Sequence, residues 1–234
     1  MTQTNPDIAS YERFFSDLSQ VNKIFRETRQ VFNRRLADGF NPFFLLNVNE
    51  VALSRVIREL LDPAGTHGQG DVFLRLFWDR VWTNKEHTLD TSSVHVSCEA
   101  PTTHNANQAR RLDVLVVANG KALAIENKPW AGEQENQVGD YISHLRNKYG
   151  KGNFKLVFLS QDGREPQSMG SCAHAQPSSA DEPCSSPVEC MSFKDGFRKW
   201  LVECSQQSQA ERVRWLLGSL IEYIDADLKE QSNG

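Results

Sequence analysis

Three charged side chains stand where strands should be apolar: Asp113 within Arg110-Arg-Leu-Asp-Val-Leu-Val-Val117, and Glu126 and Lys128 within Ala122-Leu-Ala-Ile-Glu-Asn-Lys128. Between the two runs lies Asn119-Gly120, the dipeptide that most readily closes a two-residue β-hairpin because both residues accept positive φ at little cost. Strand alternation then places Glu126 and Lys128, two residues apart, on one face, and the hairpin brings Asp113 to them from the neighbouring strand. Two carboxylates and an ammonium beside greasy strands are costly to bury unless they pair with one another or hold a cation. Two convergent carboxylates, with a main-chain carbonyl such as that of Ile125 and water, form the hard oxygen set that Mg²⁺ or Mn²⁺ prefers, with positions left for a phosphate and a nucleophile. Lys128 beside them can stabilise charge developing on the phosphate or, with a lowered pKa, help activate water, so the chemistry implied is metal-assisted phosphodiester hydrolysis. A buried ion pair closing a sheet edge uses the same residues and does no chemistry.

The elements that must hold these residues can be read from periodicity. Apolar residues at spacings of three and four predict a long amphipathic helix over Tyr11–Leu36, whose basic residues, Arg13, Lys23, Arg26 and Arg29 among them, form either a solvated face or a phosphate contact. Asn49 is placed to cap a second helix that Asp62-Pro63 ends, and Asp71–Trp82 reads as a third. From about Ser92 the pattern turns to strands at Val94–Cys98, Leu112–Val117 and Ala122–Ile125. A helix over Gly132–Tyr149 follows, then a continuous apolar strand, Phe154–Leu159, of the kind buried on both faces. Residues 161–186, rich in Ser, Pro and Gly, read as a flexible insertion. A short strand near Val188–Met191 and two helices marked by Phe193, Phe197, Trp200 and Leu201, and by Val213 to Ile224, close the chain. The expectation is a single α/β domain over 1–234: a helical part to residue 90, a small mixed sheet over 92–160 ordered αβββαβ, the insertion, and C-terminal helices over 187–234.

Asp113, twelve intervening residues and Glu126-Asn127-Lys128 together resemble the PD-(D/E)XK nuclease superfamily, whose core pairs an Asp on one strand with Glu-x-Lys on the next; Leu112 stands where the family name has Pro. Glu50-x₃-Ser54, Leu60-Leu-Asp-Pro63 and His67-Gly-x-Gly70 are similar to the amino-terminal signature of a bacterial branch of PD-(D/E)XK family proteins of unknown function, and Gln137-x₃-Tyr141 to a motif of that branch. The resemblance implies a restriction-endonuclease-like fold and a Mg²⁺- or Mn²⁺-dependent nuclease, a DNA endonuclease first. It implies a metal held by Asp113, Glu126 and the Ile125 carbonyl, a catalytic Lys128, and Glu50 joining the site directly or through water. Gln134, Gln137 and Tyr141, at i, i+3 and i+7, fall on one helix face, from which the Gln137 amide can orient the lysine, the water or a phosphate; Tyr141 reads as core before ligand contact. Glu99 is an extra ligand or a strand terminus. Arg110 and Arg111 contact nucleic acid or are simply solvated. The partner implied is DNA, with a homodimer admitted because many nucleases of this fold pair to cut two strands. The competing reading is an inactive nuclease-fold module that binds nucleic acid or a protein.

Composition bounds these readings. With 234 residues, 39% hydrophobic and 24% charged, the chain can close a core and has no room for a second catalytic module. Its 26 Lys and Arg against 30 Asp and Glu exclude wholesale electrostatic coating of nucleic acid or an anionic membrane, though not a local basic face. No window approaches the roughly 18 apolar residues of a membrane span, and Met1–Ser10 lacks the pattern of a secretory leader, so a cytoplasmic protein is expected. Cys98, Cys172, Cys184, Cys190 and Cys204 include no CxxC pair; reduced thiols suit them better than a zinc site at Cys172, His174, Cys184 and Cys190. His67 and His104 are assigned no role.

Overall fold

The computed structural model describes residues 6–230 apart from 38, 47, 83–88, 103–109, 131 and 170–185. The chain divides into two compact units, Met1–Pro42 and Phe43–Gly234. The first is a single long helix, α1 (Pro6–Leu36), followed by a turn in which the Phe40 amide bonds the Ala37 carbonyl. Its apolar residues, Phe14, Leu18, Val21 and Phe25 among them, are exposed.

In the second unit, a helical turn begun at Pro42 (α2, Pro42–Leu45) leads to α3 (Glu50–Leu61), α4 (Val72–Val81), β1 (Val94–Pro101), β2 (Arg111–Ala118), β3 (Lys121–Lys128), α5 (Gln137–Tyr149), β4 (Phe154–Ser160), β5 (Val188–Ser192), α6 (Arg198–Gln207) and α7 (Glu211–Glu230). The five strands lie side by side in chain order. The β1, β2 and β3 strands run antiparallel, while β4 pairs parallel to β3 and β5 parallel to β4, so the sheet is mixed. Asn119 and Gly120 hold φ of 45° and 76°, the two left-handed residues that the hairpin between β2 and β3 requires.

Both faces of the sheet are covered, which is why β3 and β4 read as unbroken apolar runs. Against one face α3, α4, α6 and α7 pack a large core through Ile57, Phe73, Phe77, Trp78, Trp200 and Leu220, meeting Val114, Val116, Leu123, Ile125 and Val157. Trp200 is wholly buried and still satisfied, its indole N–H donating to the Phe73 carbonyl at 2.9 Å. On the other face α5 lays Val138, Tyr141, Ile142 and Leu145 over Leu115, Ala122, Ala124 and Phe158. The expected single helix from Phe193 instead opens with one π turn, Phe193–Phe197, which buries both phenylalanines edge-on, ring centroids 5.1 Å apart.

Two expectations are corrected. The helix read from Gly132 starts at Gln137, because Asn136 stands at φ 55° and cannot lie within a right-handed helix. Gln134 therefore precedes the helix and does not share its face. The start of the presumed insertion is fastened: the Glu133 carboxylate accepts bonds from Arg164, the Gln167 amide, and both the amide and the hydroxyl of Ser168. Ser168 in turn supplies the N-cap that Asn136 does not, its hydroxyl accepting from the Val138 amide and its carbonyl from the Gly139 amide. The remainder of that segment, residues 170–185 with Cys172, His174 and Cys184, lies outside the described residues, as does His104. Cys98, Cys190 and Cys204 are free thiols. Among the described residues no helix is long and apolar enough to cross a membrane.

Candidate active site

The site forms where β2, β3, α3 and α5 meet. Asp113 lies one step beyond the Val114–Ile125 pair of the hairpin, and its Oδ2 accepts a bond from the Asn127 amide at 2.7 Å, reaching across to β3 between Glu126 and Lys128. Glu126 is 1% exposed. Its Oε1 accepts from Gln137 Nε2 at 2.7 Å and stands 3.3 Å from Lys128 Nζ. The same ammonium is 3.4 Å from Glu50 Oε2, so the first residue of α3 and the last of β3 meet over the sheet's end. Among the expected site residues, Asp113, Glu126, Lys128, Glu50 and Gln137 are thus brought together. Ile125 has its side chain in the large core and its main chain beside Glu126.

Burial and mutual repulsion set the charge state. Burial pushes the Asp113 carboxyl up to about 6, against the pull of the Asn127 amide and of Lys128. For Glu126, burial first and the Asp113 charge second push the carboxyl well above the usual carboxylate range. Burial alone would lower the Lys128 ammonium, but Glu126, Glu50 and Asp113 hold it above its ordinary value. Of the two roles expected of Lys128, this direction suits stabilising charge on the phosphate better than activating water.

Among the described residues, Glu50, Asp113 and Glu126 share this one lysine, and two of their oxygens, Glu50 Oε1 and Glu126 Oε2, are buried without a hydrogen-bond partner. An excess of buried acid with orphaned hard oxygens is what a divalent cation would satisfy, so the residues present fit one. Among the described residues no three His, Cys, Asp or Glu side chains form a ready-made metal cage. A cation here would rely on the two strand carboxylates and main-chain or solvent oxygen.

Asn127, the unspecified residue of Glu-x-Lys, is used on the opposite face. Wholly buried, it donates from Nδ2 to the Glu50 carbonyl at 3.0 Å and to Ser54 Oγ at 2.9 Å, while Ser54 donates to the same Glu50 carbonyl at 2.8 Å. With the Asn49 side chain capping the Ala52 amide, this fixes the first turn of α3 on β3 and with it the Glu50 carboxylate. The Glu-x-Lys motif leaves this position unspecified; the signal in the sequence is a polar residue between two charged ones on an otherwise apolar strand. Gln137 is itself held, its Oε1 accepting from the Gln134 amide, and its Nε2 also donating to Tyr141 Oη, which donates to the Arg111 carbonyl. Tyr141 is core, and burial holds its phenol above the usual range.

Of the two arginines expected to touch nucleic acid, Arg110 is buried in an ion pair with Asp140 of α5 at 2.9 Å and donates to the Glu135 carbonyl, so it braces α5 rather than standing open to a phosphate. Arg111 is exposed. Glu99, between the Cys98–Val114 and Ala100–Leu112 pairs, lies across from Asp113 at φ 52°, a left-handed residue inside a strand, and its charge helps raise Asp113. His67 is structural: its Nδ1 accepts from the Gln69 amide, which leaves Nε2 to donate to the Asp62 carbonyl, and its ring stacks on Phe73.

A hairpin thus carries Asp, then Glu-x-Lys, with a helix Glu and a helix Gln closing over it. The family model of the PD-(D/E)XK nuclease superfamily matches residues 40–231. The chain belongs to the PD-(D/E)XK nuclease superfamily. Membership agrees with the mixed five-stranded sheet flanked by helices and makes the chain a nuclease-type protein. The matched region begins after α1 and contains every residue of the site. No curated protein and no solved structure matches the chain.

Proposed function

We propose that the chain is a divalent-metal-dependent DNA endonuclease, with Mg²⁺ or Mn²⁺ as cofactor and Asp113, Glu126, Lys128, Glu50 and Gln137 as its working residues. The observation that carries this reading is the burial of Asp113 and Glu126 against a single ammonium, with a Glu126 oxygen left unpartnered. Asp113, Glu126 and the Ile125 carbonyl would hold the cation. When bound, it supplies charge neutralisation at the scissile phosphate and activation of water at neutral pH. Lys128 stands 3.3 Å from Glu126 and offers its charge to the oxygens that become more negative as the phosphodiester is attacked. Gln137 keeps Glu126 in its rotamer through the 2.7 Å bond, and Glu50 fixes the lysine from the other side. DNA as the polymer rests on the resemblance of the motifs, and cutting both strands of a duplex calls for two such sites, which a homodimer provides.

The test is incubation with single-stranded DNA, duplex DNA and RNA, each with Mg²⁺, Mn²⁺ or chelator. Cleavage of DNA that requires the metal is expected. Lys128→Ala should lower it by roughly 10²- to 10³-fold, the scale of losing one preorganised charge, with an unchanged circular dichroism spectrum. Undiminished cleavage by that variant would remove Lys128 from the reaction, and cleavage of RNA alone would overturn the substrate assignment.

A further inference from the structure

Helix α1 precedes the region that the family model matches, so the superfamily fold does not call for it, and it exposes a continuous apolar seam. Phe14, Leu18, Val21, Phe25, Thr28 and Phe32 recur at spacings of four and three, the heptad rhythm of a helix that packs along its length against another helix. The helix of 31 residues is about 46 Å long, enough for three heptads. Its charge is polarised: residues 6–20 hold three acids and one base, residues 21–36 five bases and one acid.

We propose that α1 is an antiparallel self-association helix whose occupant is the α1 of a second copy of this chain. Antiparallel pairing centred near Lys23 sets Phe14 level with Phe32, Leu18 with Thr28 and Val21 with Phe25, so the seam closes on itself. The same pairing lays each acidic half along the partner's basic half, whereas parallel pairing would set the two basic halves together. Helix dipoles also oppose one another only in the antiparallel pair. The inference does not depend on the nuclease reading, since it is read by mass rather than by cleavage.

Sedimentation of the full chain over a range of concentrations and at low and high salt tests it. A monomer–dimer equilibrium that weakens as salt rises is expected. Phe25→Glu should abolish the dimer while leaving the thermal transition of the nuclease domain in place, a control for folding. Arg26→Glu/Arg29→Glu decides orientation, because both residues are exposed and the change neutralises the basic half. The antiparallel pair should weaken about tenfold at low salt, and a parallel pair should strengthen. A chain that stays monomeric overturns the proposal, including one whose α1 substitutions instead weaken retention on DNA. So does a dimer indifferent to Phe25→Glu, or one strengthened by the double charge change.

Discussion

Replacing Glu133 with Gln removes one charge and keeps the shape of the side chain, and its effect can be worked from four contacts. Glu133 Oε1 accepts from Arg164 Nη1 at 2.5 Å and the Gln167 amide at 3.1 Å; Oε2 accepts from the Ser168 amide at 2.9 Å and its hydroxyl at 2.6 Å. All four can act as donors, so whichever way the new amide turns, its NH₂ faces donors and one end of the set is lost. One to two charge-assisted bonds at a half-buried position are worth about 2 kcal/mol after allowance for solvent. Burial alone would raise this carboxyl, but the bonds from Ser168, Arg164 and Gln167 bring it down from 4.5 to about 2. A depressed carboxyl contributes stability that is fully present above its unfolded value and is lost as pH falls through the folded one. The expected result of urea unfolding is therefore a gap between wild type and Glu133→Gln of about 2 kcal/mol at pH 7, closing as pH falls from the normal carboxylate range toward about 2. A gap that stays constant between neutral and acid pH, or one below about 0.5 kcal/mol, would refute the argument. Since Ser168 caps α5 and α5 carries Gln137, cleavage by the variant should fall as well.

Asn127→Ala severs β3 from the first turn of α3 and leaves a small void; a loss of about 2–3 kcal/mol in chemical unfolding is expected, with slower single-turnover cleavage as Glu50 loses its anchor. Gln137→Ala should lower the turnover rate by about ten- to a hundredfold, with the substrate concentration for half-maximal rate little changed, since the amide contacts Glu126. Gly65→Ala would bring a Cβ within 2.6 Å of the Glu59 carbonyl and 2.9 Å of that of Asp62, both backbone, so the turn after α3 must shift and the melting temperature should drop by several degrees, about 2 kcal/mol.

What could be read from the sequence is what depends on neighbours along the chain. The Asn119-Gly120 hairpin, the Asn49 cap and the alternation that sets Glu126 and Lys128 on one side are all local, and each stands in the structure where the residues place it. The parts that escaped need partners distant in sequence. Arg110 at a strand entrance looks solvated until α5 brings Asp140 to it. Ser168 looks like loop until Glu133 gathers it and it meets the start of α5. The beginning of α5 is not legible because apolar periodicity counts residues and does not register one left-handed Asn136. The role of Asn127 is hidden because a motif that leaves its middle letter blank says nothing about the face to which that letter points.

The order of the strands also says when the acidic residues meet. Asp113, Glu126 and Lys128 all belong to one tight hairpin, whose ends close in microseconds with little loss of chain entropy, whereas β4 joins β3 only after the whole of α5 has been traversed. The expected order is that the hairpin closes first, with Glu126 dehydrated only when α3 and α5 pack onto the sheet. The electrostatic penalty falls late on the folding coordinate, where charge-neutralising substitutions should slow unfolding far more than they hasten collapse.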